Sequence, residues 1–137
     1  MSKVAVVYWS GTGNTKAMAS AVVDGVREGG AKAELFTASE FDASMLSSFD
    51  AVAFGCPSMG SEQLEDSEFE PMFNSCEGDL GGKKIALFGS YGWMRSWVET
   101  CTADGAVLVT ESVICNDAPS DDAIAECKAL GAALAAV

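Results

Sequence analysis

The stretch Val4-Ala5-Val6-Val7-Tyr8-Trp9-Ser10-Gly11-Thr12-Gly13-Asn14-Thr15 couples an unbroken apolar run to a loop of small donors. An apolar run without alternation predicts a strand covered on both faces, as in a parallel sheet. Beyond the loop, Met18, Val22 and Val26 recur at helical spacing and predict a helix that stops at Gly29-Gly30. Within the loop, Gly11 and Gly13 let the backbone curl so that several N–H groups converge. The helix start adds partial positive charge. Ser10, Thr12, Asn14 and Thr15 contribute neutral side-chain donors. This composition suits a phosphate held by neutral groups alone. Two other glycine-rich motifs do not match. A P-loop needs Gly-Lys-Ser/Thr where Gly13-Asn14-Thr15 stands, and a dinucleotide fingerprint needs a third glycine where Lys16 stands.

Strand and helix patterns continue to alternate outward from this unit. Ala33 to Thr37 predicts a second strand, Asp50 to Gly55 a third and Lys84 to Gly89 a fourth. Ala106 to Cys115 predicts a fifth. Between the third and fourth, Ser67 to Glu77 has helical spacing, with Phe69, Met72, Phe73 and Cys76 on one face. Trp97 to Thr102 predicts a further helix. Ser120 is placed to cap a last helix whose first turn holds Asp121 and Asp122, with Ile124, Cys127, Leu130 and Leu134 as its buried stripe. With no linker or repeat, residues 1–137 are expected to form a single domain. Strands alternating with helices imply a parallel sheet in a doubly wound three-layer α/β/α sandwich. Ligands in such folds bind beyond the carboxyl ends of the strands, at the topological switch point.

Composition narrows the function. Of 137 residues, 49% are hydrophobic and 20% charged, the balance of a globular rather than a disordered chain. Twenty acidic against eight basic residues leave a net charge of −12, which repels phosphate backbones and argues against a nucleic-acid partner. The same field favours protein partners with basic docking patches. No apolar run approaches the roughly 20 residues of a membrane span, so no membrane partner is expected. The first eight residues lead directly into the loop motif, which sets the expectation of a cytoplasmic chain without a leader. The five cysteines (Cys56, Cys76, Cys101, Cys115 and Cys127) are widely spaced and read as reduced thiols. The chain has no histidine, which excludes histidine-based acid–base chemistry and leaves no metal site expected.

Two more loops fall at the predicted ligand edge. The third strand ends in Gly55-Cys56-Pro57-Ser58-Met59-Gly60-Ser61-Glu62-Gln63, and the fourth in Gly89-Ser90-Tyr91-Gly92-Trp93. Together with Tyr8 to Thr15, in this order, they resemble the FMN-binding loops of short-chain bacterial flavodoxins, and the resemblance covers nearly the whole chain. It implies a flavodoxin-like fold with a five-stranded parallel sheet in the order 2-1-3-4-5. It also implies a low-potential electron carrier, not an enzyme, that cycles FMN between semiquinone and hydroquinone among redox partner proteins. By the same resemblance Ser10, Gly11, Thr12, Gly13, Asn14 and Thr15 hold the FMN phosphate. Met59, Gly60, Ser61 and Gln63, with Ser90, Tyr91, Gly92 and Trp93, contact the flavin.

The physical chemistry of a flat, amphipathic ring agrees. Met59 offers a polarizable thioether for one face and Trp93 an indole for the other. By analogy the Gly60–Ser61 peptide flips so that the Gly60 carbonyl accepts from reduced flavin N5, a change glycine tolerates at little cost. Glu62, Glu65, Asp66, Glu68 and Glu70 oppose the negative charge that full reduction brings. Two departures from the family stand out. Met94-Arg95-Ser96-Trp97 follows Trp93 as if about four residues were missing, which leaves Trp93 and Trp97 both available to cover the ring and brings Arg95 near it. Gln63 stands where relatives can offer a carboxylate to flavin N3–H. The sequence leaves two alternatives, an FMN-dependent NAD(P)H:quinone reductase on the same fold and a binding module with weakened FMN affinity. The chain is expected to be a monomer.

Overall fold

The computed structural model describes residues 3–9, 14–56, 69–90, 94–110, 112–115 and 121–136. In chain order these form β1 (Lys3–Tyr8), α1 (Asn14–Glu28), β2 (Lys32–Thr37), β3 (Ala51–Cys56), α2 (Phe69–Glu77), β4 (Lys84–Ser90) and α3 (Met94–Ala103). They continue with β5 (Val107–Leu108), β6 (Val113–Cys115) and α4 (Asp121–Ala135). All pairings are parallel, and the sheet runs β2-β1-β3-β4-β5, with β6 also on β4. The expected order 2-1-3-4-5 is the one observed.

The two faces of the sheet differ in kind because β3 alternates small and large residues. Val52, Phe54 and Cys56 turn to one face, where they join Phe69, Met72, Phe73 and Cys76 of α2 and Cys101 of α3. Ala51 and Ala53 turn to the other, beneath α1 and α4. Phe54 sits edge-on to Phe73, with ring centroids 5.2 Å apart, and to Phe41 at 6.5 Å, so the first face is filled by interlocking aromatic rings. The second face is thin, and its helices close on each other. A Cβ on Gly25 would lie 2.0 Å from the carbonyl oxygen of Lys128, and one on Gly131 would lie 2.2 Å from that of Val22. Backbone therefore meets backbone between α1 and α4.

Several elements depart from the sequence reading. The predicted fifth strand from Ala106 to Cys115 is two short strands. Leu108 pairs with Ile85 and Val113 with Phe88, so five residue steps on this strand match three on β4. The register thus leaves two surplus residues between Leu108 and Val113, an irregularity of the kind that blunts a sheet edge. Helix α3 begins at Met94, three residues before the predicted start, so Met94 to Trp97 form its first turn rather than loop. In α4 the buried side comprises Ala123, Cys127, Leu130, Gly131 and Leu134, with Ile124 only half-buried.

Between β2 and β3 two 3-10 segments, Ala38–Glu40 and Ala43–Ser48, take the place of a helix. Local polar bonds hold them. The Thr37 backbone N–H and hydroxyl both donate to the Glu40 carboxylate, which lowers the Glu40 pKa. Asp42 accepts from the Ser44 backbone N–H at 2.9 Å. Lys83 Nζ donates to the Leu46 carbonyl at 2.7 Å and to that of Phe49, tying the second segment to the start of β4.

The core thiols carry a pH signature. Burial pushes Cys101 up to about 12, with Asp104 and Glu77 adding to the effect. Burial likewise pushes Cys76 up to about 11, partly offset by the hydrogen bond to Ser75. Unfolded thiols titrate near about 8.5, so the native state holds its protons more tightly than the unfolded state. Their contribution is intact below that pH and is lost as pH rises towards the folded values. Urea midpoints measured from pH 8 to 11 should therefore fall, and a Cys101→Ala variant should show a shallower decline. Identical slopes would exclude the thiol as a cause.

Candidate functional site

The ladder between β1 and β3 outlasts β1 itself. The Trp9 backbone N–H donates to the Gly55 carbonyl at 3.0 Å, so the two strands stay joined up to the residue that opens the first loop. The helices that follow these two strands lie on opposite faces. The connection after β1 enters α1, whereas that after β3 enters α2 on the opposite face. Two adjacent strands that exit to opposite faces leave a crevice between their carboxyl ends. That crevice is the topological switch point of this sheet.

Helix α1 aims its amino end at the crevice. Its first turn contains no acidic residue in a chain with twenty of them. By contrast, α4 opens with Asp121 and Asp122, acids that occupy the positive end of its dipole. Thr15, in the first turn of α1, is 2% exposed and is the sole buried polar side chain among the described residues. Burying a hydroxyl is costly unless it has a polar partner. A buried hydroxyl in the acid-free first turn of a helix, where backbone N–H groups and the helix dipole favour an anion, fits a phosphate monoester. At the other side of the crevice Gly89 adopts φ +150°, a backbone conformation that a residue with a Cβ rarely takes, just before β4 runs into residues 91–93.

The structure places the expected site residues unevenly. Asn14 and Thr15 start α1, and Ser90 ends β4, all at the carboxyl edge of the sheet. Ser10 to Gly13, Met59, Gly60, Ser61, Gln63, Tyr91, Gly92 and Trp93 lie outside the described residues. Trp97 belongs by its backbone to the first turn of α3. Two residues at this edge escaped the sequence reading. Gly55 and Phe88 are cross-strand partners whose contact only the sheet register reveals.

A family model described as flavodoxin matches residues 6–131. The chain belongs to the flavodoxin family. It is 42% identical to the flavodoxin of Megasphaera elsdenii over 96% of this chain and 98% of that protein. It is 39% identical to the flavodoxin of Clostridium beijerinckii, with 95% and 97% covered. A solution structure of the two-electron reduced Megasphaera elsdenii flavodoxin superposes with a TM-score of 0.90, covering 98% of this chain and 99% of that one. As a flavodoxin the chain is an FMN-carrying electron-transfer protein, and redox proteins are its partners. The fold and family expected from the three loops are borne out. Among the described residues no helix is long and apolar enough to cross a membrane.

Proposed function

We propose that this chain shuttles single electrons at low potential between redox proteins, with the FMN phosphate anchored in the first turn of α1. The observation that carries this reading is the acid-free amino end of α1, with Thr15 buried at the switch point. Bound FMN supplies the one-electron redox chemistry. The residues of the chain bind, orient and shield it. Ser10 to Thr15 hold the phosphate through neutral donors, so affinity does not rely on a lysine or arginine. Met59 and Trp93 flank the ring and exclude water, and the Gln63 side-chain carbonyl accepts from its N3–H. The Gly60 peptide reorients with the redox state, while Gly89 lets β4 deliver Ser90 to Trp93 against the ring edge.

The acids from Glu62 to Glu70 oppose further negative charge at the site and keep the potential low. The net charge of −12 steers the protein towards basic patches on its partners, so docking rates should fall as salt rises. On this reading the protein works as a single-domain monomer in the cytoplasm, and acts as a carrier rather than an enzyme.

Thr15→Val tests the cradle with almost no change of shape. A hydrogen bond to a charged group contributes about 1.5–3 kcal/mol, so the FMN dissociation constant should rise roughly 10- to 100-fold. The melting temperature of the flavin-free protein should hardly move. An unchanged affinity measured by fluorescence quenching of FMN would remove the phosphate from α1.

A further inference from the structure

The last cross-strand row before the first loop contains a large residue laid over a glycine. On the α1/α4 face this row runs Tyr8, Gly55, Phe88, Val113 across β1, β3, β4 and β6. A Cβ on Gly55 would come within 2.1 Å of the Phe88 ring. The ring therefore occupies the space that any side chain at position 55 would fill. Phe88 is fully buried, in one cluster with Tyr8 and with Met18 of α1.

One row further from the loops the same face carries Val6, Ala53 and Ala86. Small residues there let α1 settle close to the sheet. At the loop end, the Phe88 ring instead fills the space over Gly55, in the layer that α1 and α4 cover. Close-packed interiors transmit a change in such a layer to the elements that cover it. Met18 of α1, about one turn beyond Thr15, belongs to the same buried cluster.

We propose that Gly55 and Phe88 act as a positioning pair that sets the height of the first turn of α1 above the sheet, and thereby selects FMN over riboflavin. This rests on the phosphate-cradle reading above and adds the residues that hold the cradle in place. Neither residue touches the phosphate. Their effect should appear only in the part of the affinity that the phosphate supplies, which riboflavin lacks.

The test compares dissociation constants for FMN and for riboflavin in wild type, Gly55→Ala, Phe88→Leu and the double variant. Gly55→Ala displaces the ring within the cluster that α1 covers and should weaken FMN by about tenfold or more, the scale of an overpacked contact, while riboflavin changes by less than about threefold. Adding Phe88→Leu frees the space and should restore most of the lost FMN affinity. Equal losses for both ligands, or no restoration in the double variant, would overturn the proposal. If Gly55→Ala fails to fold, Phe88→Leu alone decides, since removing the support should lower the FMN-to-riboflavin preference several-fold. An unchanged preference there overturns the pair while leaving the cradle standing. A wild-type chain that binds the two ligands equally overturns both.

Discussion

Replacing Gly25 and Gly131 together by alanine should destabilise the protein by about 4 kcal/mol, although helix propensity alone forecasts the opposite sign. Each Gly→Ala change inside a helix gains about 1 kcal/mol in propensity. Against that, the new methyl groups would lie 2.0 Å from the Lys128 carbonyl oxygen and 2.2 Å from that of Val22. Both obstacles are backbone atoms, so no rotamer change relieves them and α1 must move off α4. Overpacking of this kind costs about 1–3 kcal/mol and sometimes more, and the upper end applies where helices must separate. The net loss of about 2 kcal/mol per site should lower the melting temperature by about 15 °C for a domain of this size. Thermal denaturation followed by circular dichroism measures it. A double variant as stable as wild type would show that α1 and α4 are not locked by their glycines.

The second large effect lies on the opposite face. Phe54→Ala removes a fully buried ring that meets Phe73 and Phe41 edge-on. Truncation of such a residue costs about 3–5 kcal/mol, from lost transfer free energy and from the cavity left behind. Phe73 itself stacks on Phe69 at an interplanar angle of 7°, and Phe69 is the first residue of α2. The loss should therefore loosen the amino end of α2. A fall in urea midpoint should accompany faster amide exchange in α2, and a loss below about 1 kcal/mol would mean that the cavity collapses.

The sequence showed clearly the features that local patterning controls. Val4 to Tyr8 is buried on both faces, so its apolar run has no other reading, and the same holds for β3 and β4. The donor-rich loop stands out because its small donors are consecutive in the sequence, and of its six residues Asn14 and Thr15 open α1. What stayed hidden depends on neighbours far along the chain. The fifth strand looked continuous because Ala106 to Cys115 has strand-like composition, and only pairing to β4 exposes two surplus residues between Leu108 and Val113. Met94 to Trp97 carries no capping signal, so the early start of α3 was invisible. Gly25 and Gly131 look like flaws in two helices until the helices are set side by side. Gly55 looked like part of a ligand loop, yet its lack of a side chain makes room for Phe88, a partner fixed by register alone.

An anaerobic reductive titration of the FMN-loaded protein, followed by visible spectroscopy, bears most directly on the account. The neutral cradle at α1 should retain one flavin per chain through gel filtration, and reduction should proceed in two resolved one-electron steps. A chain that emerges free of flavin, or a bound flavin that takes both electrons in one unresolved step, would contradict it.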